Sequence, residues 1–341
     1  MNGIQPLFAD QDPKRELRLV IDYSARPDAA GLAAFDVCIL DPAAKVDLGP
    51  CQARGTTCLA YVSLVEAAPG SVMEARSVAG GFALKQRNPE WGGRLLDVGQ
   101  KAWSQALDAE IESILRKGYD GFFLDTVDSL ERLKQLRPER AAADRTAVLD
   151  WIRRLHEAHP GKQLVMNRGF DLLEDLEGRL DGVLIEGVCY GKDARTGAYA
   201  PLPDEALAWT AERVKRCQAL GLRVFGVEYV DPKKPEQVED AVRRLRALGC
   251  MPLVTTPDLR GVVLGPMSGR PGGGTDRLGI SAAWRWRILP LDTGWQTIHR
   301  SEKREHVTLS SGQSGRVGPP LPEGVDGCPP LSNSASPTYV G

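Results

Sequence analysis

Two short apolar stretches stop on a carboxylic acid: YDGFFLD (119–125) on Asp125 and LDGVLIE (180–186) on Glu186. A strand carrying Phe122, Phe123 and Leu124 seeks burial. An acid at its tip is therefore either a solvated loop residue or a charge delivered into a pocket. Two carboxyl groups facing one another across a sugar ring cleave glycosidic bonds: one protonates the leaving oxygen, the other acts as nucleophile or as base. Alternation along a strand puts Gly121, Phe123 and Asp125 on one face, and Gly182, Leu184 and Glu186 on one face of theirs. The glycines would leave room low in the structure while the acids point the same way at its mouth.

Positioning these acids requires a scaffold, and the rest of the chain supplies one. Further apolar runs occur at 17–23, 35–41, 57–66, 163–168, 222–229 and 250–256. With the two above they make eight, each apolar enough for a strand covered on both faces. Helical patterns lie between them at 101–118, 144–161, 203–221 and 235–249, ending on Gly118, Gly161, Gly221 and Gly249. Eight strands alternating with helices predict an α/β fold, the (β/α)8 TIM barrel, over residues 17–266. The rival, a doubly wound open sheet, calls for a Gly-rich phosphate turn after the first strand, and IDYSARPD (21–28) has none. Residues 267–341 are rich in Gly, Pro and Ser and are expected to be a low-complexity, mostly disordered tail.

In such a barrel the site lies at the C-terminal strand ends. Taken in order, these ends give Asp22, Asp41, Glu66, Asp125, Asn167 with Arg168, Glu186 and Glu228, with Asp258 just past the last. Neighbouring strands stand ~4.8 Å apart, so strands four and six are roughly 9 Å apart at Cα, and inward side chains can converge to a retaining pair. Asp125 with Glu186 satisfies that spacing; Asp125 with Glu228, three strands away, would suit an inverting gap. Tyr23, Tyr61, Tyr190 and Tyr229 fall at or near strand ends, where they could stack on sugar faces or shield an acid. Asn167 is placed to grip a substrate hydroxyl; Arg168 would orient a carboxylate or form a structural ion pair. The substrate-binding set is thus Asp22, Tyr23, Asp41, Tyr61, Asn167, Arg168, Tyr190, Glu228 and Tyr229.

Other classes find less support. At 341 residues, 42% hydrophobic and 26% charged, with a formal charge of −2, the chain gives no electrostatic reason to expect nucleic acid or an anionic membrane. No apolar stretch reaches a membrane span, and the N-terminus lacks the apolar core of a secretory signal. G-x-S-x-G and G-x-x-x-x-G-K-[ST] are absent. A Mg²⁺ enzyme could use Glu66, Asp125 and Asn167 as oxygen ligands, but no Lys stands at strand two or six as a base. His156 and His159 lie at a helix end, and His299 and His306 in the tail, so no zinc-type set forms; no metal or cofactor is expected. A non-catalytic carbohydrate-binding barrel is the remaining alternative. Cys38, Cys58 and Cys189 lie in apolar runs and read as buried thiols, although Cys51 and Cys58 could pair in an oxidising compartment.

GYDGFFLDTVDS (118–129), LVMNRGFDLL (164–173), LDGVLIEGV (180–188), FGVEYVD (225–231) and MPLVTTPDL (251–259) resemble, in this order, the barrel of glycoside hydrolase family 114, the endo-α-1,4-polygalactosaminidases. The resemblance spans about residues 17–260. It implies an endo-acting hydrolase of partly deacetylated, α-1,4-linked galactosamine exopolysaccharide, working outside the cytoplasm. It makes Asp125 the nucleophile and Glu186 the acid/base. An acid-rimmed cleft suits a cationic amino-sugar chain independently of the family.

Overall fold

The computed structural model describes residues 15–192, 199–231, 234–256, 259, 261–263 and 288–290. Asp258, His299, His306 and the 267–341 segment, apart from Ile288–Pro290, lie outside the described residues. Eight parallel strands form a nearly closed barrel: β1 (Leu19–Asp22), β2 (Val37–Leu40), β3 (Thr57–Ser63), β4 (Gly121–Asp125), β5 (Gln163–Asn167), β6 (Gly182–Glu186), β7 (Arg223–Tyr229) and β8 (Met251–Thr255). Each pairs with the next in chain order. No ladder joins β8 to β1 among the described residues. There Arg246 Nε and Nη2 donate to Glu16, which precedes β1, at 2.9 and 2.7 Å.

Alternation divides the strands into two packed layers. Ile21, Ile39, Leu59, Phe123, Val165, Leu184, Phe225, Val227 and Leu253 fill the cylinder, and Tyr23, Tyr61 and Tyr229 lie against its top. The other phase (Val20, Cys38, Cys58, Phe122, Leu124, Met166, Val183, Ile185) packs outward against the helices. Gly121 and Gly182 belong to the inward phase, but what they permit is close strand approach. A Cβ on Gly121 would lie 2.2 Å from the Gln163 carbonyl, and one on Gly182 2.9 Å from that of Arg223.

Helices α1 (Ala29–Leu32) and α2 (Gly49–Gln52) are single turns; α3 (Val72–Ala79), α4 (Lys101–Arg116), α5 (Leu130–Leu136), α6 (Ala141–Ala158), α7 (Asp204–Ala219) and α8 (Pro235–Ala247) follow. The four helices expected from periodicity are α4, α6, α7 and α8. On α4, Trp103, Leu107, Ile111 and Ile114 form the buried stripe, and Gly118 just past its end takes φ 84°.

The third strand departs from expectation. It stops at Ser63, and Glu66–Ala67 opens a separate antiparallel sheet with Ala83–Arg87 and Arg94–Leu96. All six described cysteines are free and buried, Cys51 and Cys58 included. Beyond β8, Gly261–Val263 pairs antiparallel with it.

Candidate active site

Asp125, Asn167 and Glu186 are the last residues of three adjacent strands, β4, β5 and β6. Each belongs to the inward phase of its strand, so the three side chains meet at the mouth. The Asn167 amide links them: Nδ2 donates to Oδ1 of Asp125 at 2.8 Å and to Oε1 of Glu186 at 3.0 Å. The two hydrogens of an amide group diverge by about 120°, so acceptors at these lengths lie about 5 Å apart. Both amide hydrogens are thus directed at the two carboxylates.

Glu186 is held at its other oxygen by Tyr229, whose hydroxyl donates to Oε2 at 2.6 Å. Its main-chain carbonyl accepts from Nη2 of Arg168 at 2.7 Å. Burial, and after it the Asp125 charge, raises the Glu186 carboxyl above its ordinary range; the Tyr229 hydroxyl, the Arg168 charge and the Asn167 amide work against this. The net direction is upward, so the proton on Glu186 is retained to higher pH than on an exposed glutamate.

Tyr23 and Tyr61 complete the wall with an edge-to-face contact, ring centroids 5.2 Å apart. Burial raises both phenols well above their ordinary value. The Asp125, Glu186 and Asp41 charges add to this at Tyr23, and the Asp125 charge at Tyr61. Asp41 is half-buried just beyond the end of β2, and its Oδ1 accepts from the Ala43 N–H at 2.7 Å.

Four residues read as rim positions do not meet there. Asp22 and Glu228 stand in the outward phase of β1 and β7. Asp22, fully buried, turns its Oδ1 to the Ser24 N–H at 2.9 Å. Glu228 accepts the main-chain N–H groups of Cys189 and Tyr190, which anchors the chain after β6 and removes it as a partner for Asp125. Glu66, on its separate sheet, is buried against Asn88 and Ser129, so it does not join Asp125 and Asn167 as a ligand set. Tyr190 is buried in the layer between barrel and helices, its hydroxyl bonded to Asp240 on α8 at 2.7 Å. Counting each acid's phase from its strand's apolar residues would have separated Asp22 and Glu228 from Asp125 and Glu186.

Two residues were not foreseen. Tyr199, on the strand Tyr199–Pro201 that follows β6, brings its ring to 6.5 Å from that of Tyr229. Nothing in TGAYA (196–200) marks it. Ser63 ends β3 level with Asp125 in the ladder and shares the phase of Tyr61. Among the described residues, no group of three or more His, Cys, Asp or Glu side chains is assembled as metal ligands would be, and no helix is long and apolar enough to cross a membrane.

The model of glycoside-hydrolase family GH114 matches residues 9–269. Among solved structures, the glycoside hydrolase domain of PelA from Pseudomonas aeruginosa is 30% identical, with a TM-score of 0.64, covering 71% of this chain and 95% of that one. Ega3 of Aspergillus fumigatus, solved with galactosamine, is 13% identical with a TM-score of 0.55, covering 74% and 95%; at that identity the likeness is one of fold. Among curated proteins, an uncharacterized protein of Deinococcus radiodurans is 24% identical over 265 residues, 70% of this chain and 79% of its own. One of Thermotoga maritima is 23% identical over 190 residues, 52% of this chain; that match spans only 57% of the Thermotoga protein's length.

Proposed function

Because this chain belongs to glycoside-hydrolase family GH114, we propose that Asp125 and Glu186 are the carboxylate pair of a retaining, endo-acting hydrolase. Its substrate in this reading is an α-1,4-linked, partly deacetylated galactosamine polymer. The Asp125 carboxylate attacks the anomeric carbon as Glu186 gives its proton to the departing glycosidic oxygen, leaving a glycosyl ester on Asp125. Glu186, now ionised, takes a proton from water as that water attacks the same carbon, and Asp125 departs as carboxylate. Net configuration is retained.

The observation that carries this reading is the Asn167 amide donating to both acids. The resulting spacing of about 5 Å matches the ~5–5.5 Å of retaining pairs and falls short of the ~6.5–9.5 Å that inverting enzymes leave for water. The raised Glu186 carboxyl suits a group that must begin the cycle protonated. The polymer is inferred from the family, and the galactosamine in the Ega3 structure agrees with it. Asp41, Asp125 and Glu186 at one mouth favour a cationic amino sugar.

The test is incubation of wild type, Asp125→Asn and Glu186→Gln with partly deacetylated α-1,4-galactosamine oligomers, with the anomer of the fresh product read by NMR. Each variant is expected to lose at least ~10²-fold in rate, and the wild type to release the α-anomer first. Near-normal turnover by either variant would remove it from the pair; a β-anomer would replace the retaining mechanism with inversion.

A further inference from the structure

Asp125 and Asn167 are each followed at once by a non-glycine residue in the left-handed backbone region, Thr126 at φ 61° and Arg168 at φ 52°; Glu186 is followed by Gly187 at φ 62°. Each of the three strand tips is thus followed by a residue of positive φ. For a residue with a Cβ that conformation is unfavourable, more so for β-branched threonine. Strain of this kind persists where surrounding contacts over-determine it.

Those contacts run to the neighbouring strands. Thr126 is buried, and its Oγ1 accepts the main-chain N–H groups of Leu64, Val65 and Glu66 at 3.1, 3.0 and 3.3 Å. It also lies 3.0 Å from the Ser63 hydroxyl. Ser63 spends its own hydrogen on the Glu66 carbonyl at 2.6 Å, so the Thr126 hydroxyl is the donor in that pair. One side-chain oxygen therefore ties the end of β4 to the end of β3, and its four partners turn the chain out of β3 after Ser63. Arg168 repeats the device between β5 and β6: its main-chain N–H reaches the Leu184 carbonyl at 2.9 Å, and its guanidinium the Glu186 carbonyl at 2.7 Å.

We infer that Thr126 and Arg168 are positioning residues, which hold Asp125, Asn167 and Glu186 at working separation by fastening each strand tip to its neighbour through a side chain carried on a strained backbone. Neither is assigned a contact with substrate. The inference rests on the hydrolase reading above. Losing the tie would let the carboxylates drift, and small misplacements of reacting groups cost rate far more than binding.

The experiment compares Thr126→Val, Thr126→Ser and Arg168→Gly with wild type and Asp125→Asn on the same oligomers, at a temperature where near-UV circular dichroism shows each folded. Arg168→Gly removes side chain and strain together, so it stays informative even if Thr126→Val fails to fold. Expected are a kcat at least 10-fold lower with KM within threefold for Thr126→Val and Arg168→Gly, and recovery to within threefold of wild type in Thr126→Ser. A folded Arg168→Gly or Thr126→Val that keeps kcat within threefold, or that raises KM alone, overturns the inference. An active Asp125→Asn would instead sink the hydrolase reading beneath it.

Discussion

Tyr229 and Glu186 face each other across the top of β6 and β7, the phenol donating its hydrogen to Oε2 at 2.6 Å. That bond stabilises the ionised form of a carboxyl that burial and the Asp125 charge push the other way. In Tyr229→Phe the lowering influence is gone and the Glu186 carboxyl rises further. Since the departing oxygen needs a protonated Glu186, kcat/KM is lost as pH rises through this group, and that alkaline limb should move to higher pH in the variant. Turnover at the optimum should drop about 10-fold, the worth of one charge-assisted bond. A pH–rate profile with an unmoved or lowered alkaline limb would contradict the assignment.

Asn167→Asp replaces a group that donates to two carboxylates with a third carboxylate between them. Like charges this close cannot all ionise, and the spacing set by the amide is lost. Turnover should decrease by at least ~10²-fold, with Asn167→Ala losing less than the aspartate variant. Equal loss in both would assign the effect to the missing amide alone.

Glu228 provides a contrast, a rim acid by sequence that serves the fold. Burial pushes it up to about 8 from 4.5 although it accepts the Cys189 and Tyr190 N–H groups. A carboxyl raised on folding contributes stability that is complete below 4.5 and is lost as pH climbs through about 8. Glu228→Gln sets a donor against donors and should lower stability by about 1–3 kcal/mol at acid pH. The fall in stability between these pH values should flatten, and kcat should stay within a few-fold. Denaturant midpoints measured across pH 4–9, beside a rate assay, check all three.

Gly121→Ala tests the close approach of β4 and β5. With a Cβ 2.2 Å from the Gln163 carbonyl, the ladder beneath Asp125 and Asn167 must part. A loss of about 1–3 kcal/mol is expected, read as a lower melting temperature. An unchanged melting temperature would mean that the strands slide apart freely.

How much of this could be read in advance depended on whether the cause was local. The eight strands were legible because each is a run apolar on both faces, and Asp125 with Glu186 because alternation within a single strand determines where they point. The departures have two origins, one local and one not. Glu228 and Asp22 stand at rim height by position along the strand, but their phase sends them outward. TCLAYVSLVE (57–66) reads as one strand ending on Glu66 because nothing in it signals a break; the residues after the break are held by Thr126, sixty or more positions away. Tyr190 points into the helix layer to meet Asp240, a partner that only the folded chain brings near.

The meeting of β8 and β1 has a dynamic consequence. Seven of the cylinder's contacts are backbone ladders, whereas this one has none among the described residues and is bridged by buried apolar side chains such as Leu19, Ile21 and Leu253 and by the Arg246–Glu16 pair. Amides along that edge are the ones from which transient opening and deuterium uptake should spread. It lies away from β4, β5 and β6, so the wall can breathe there while the two acids keep their distance.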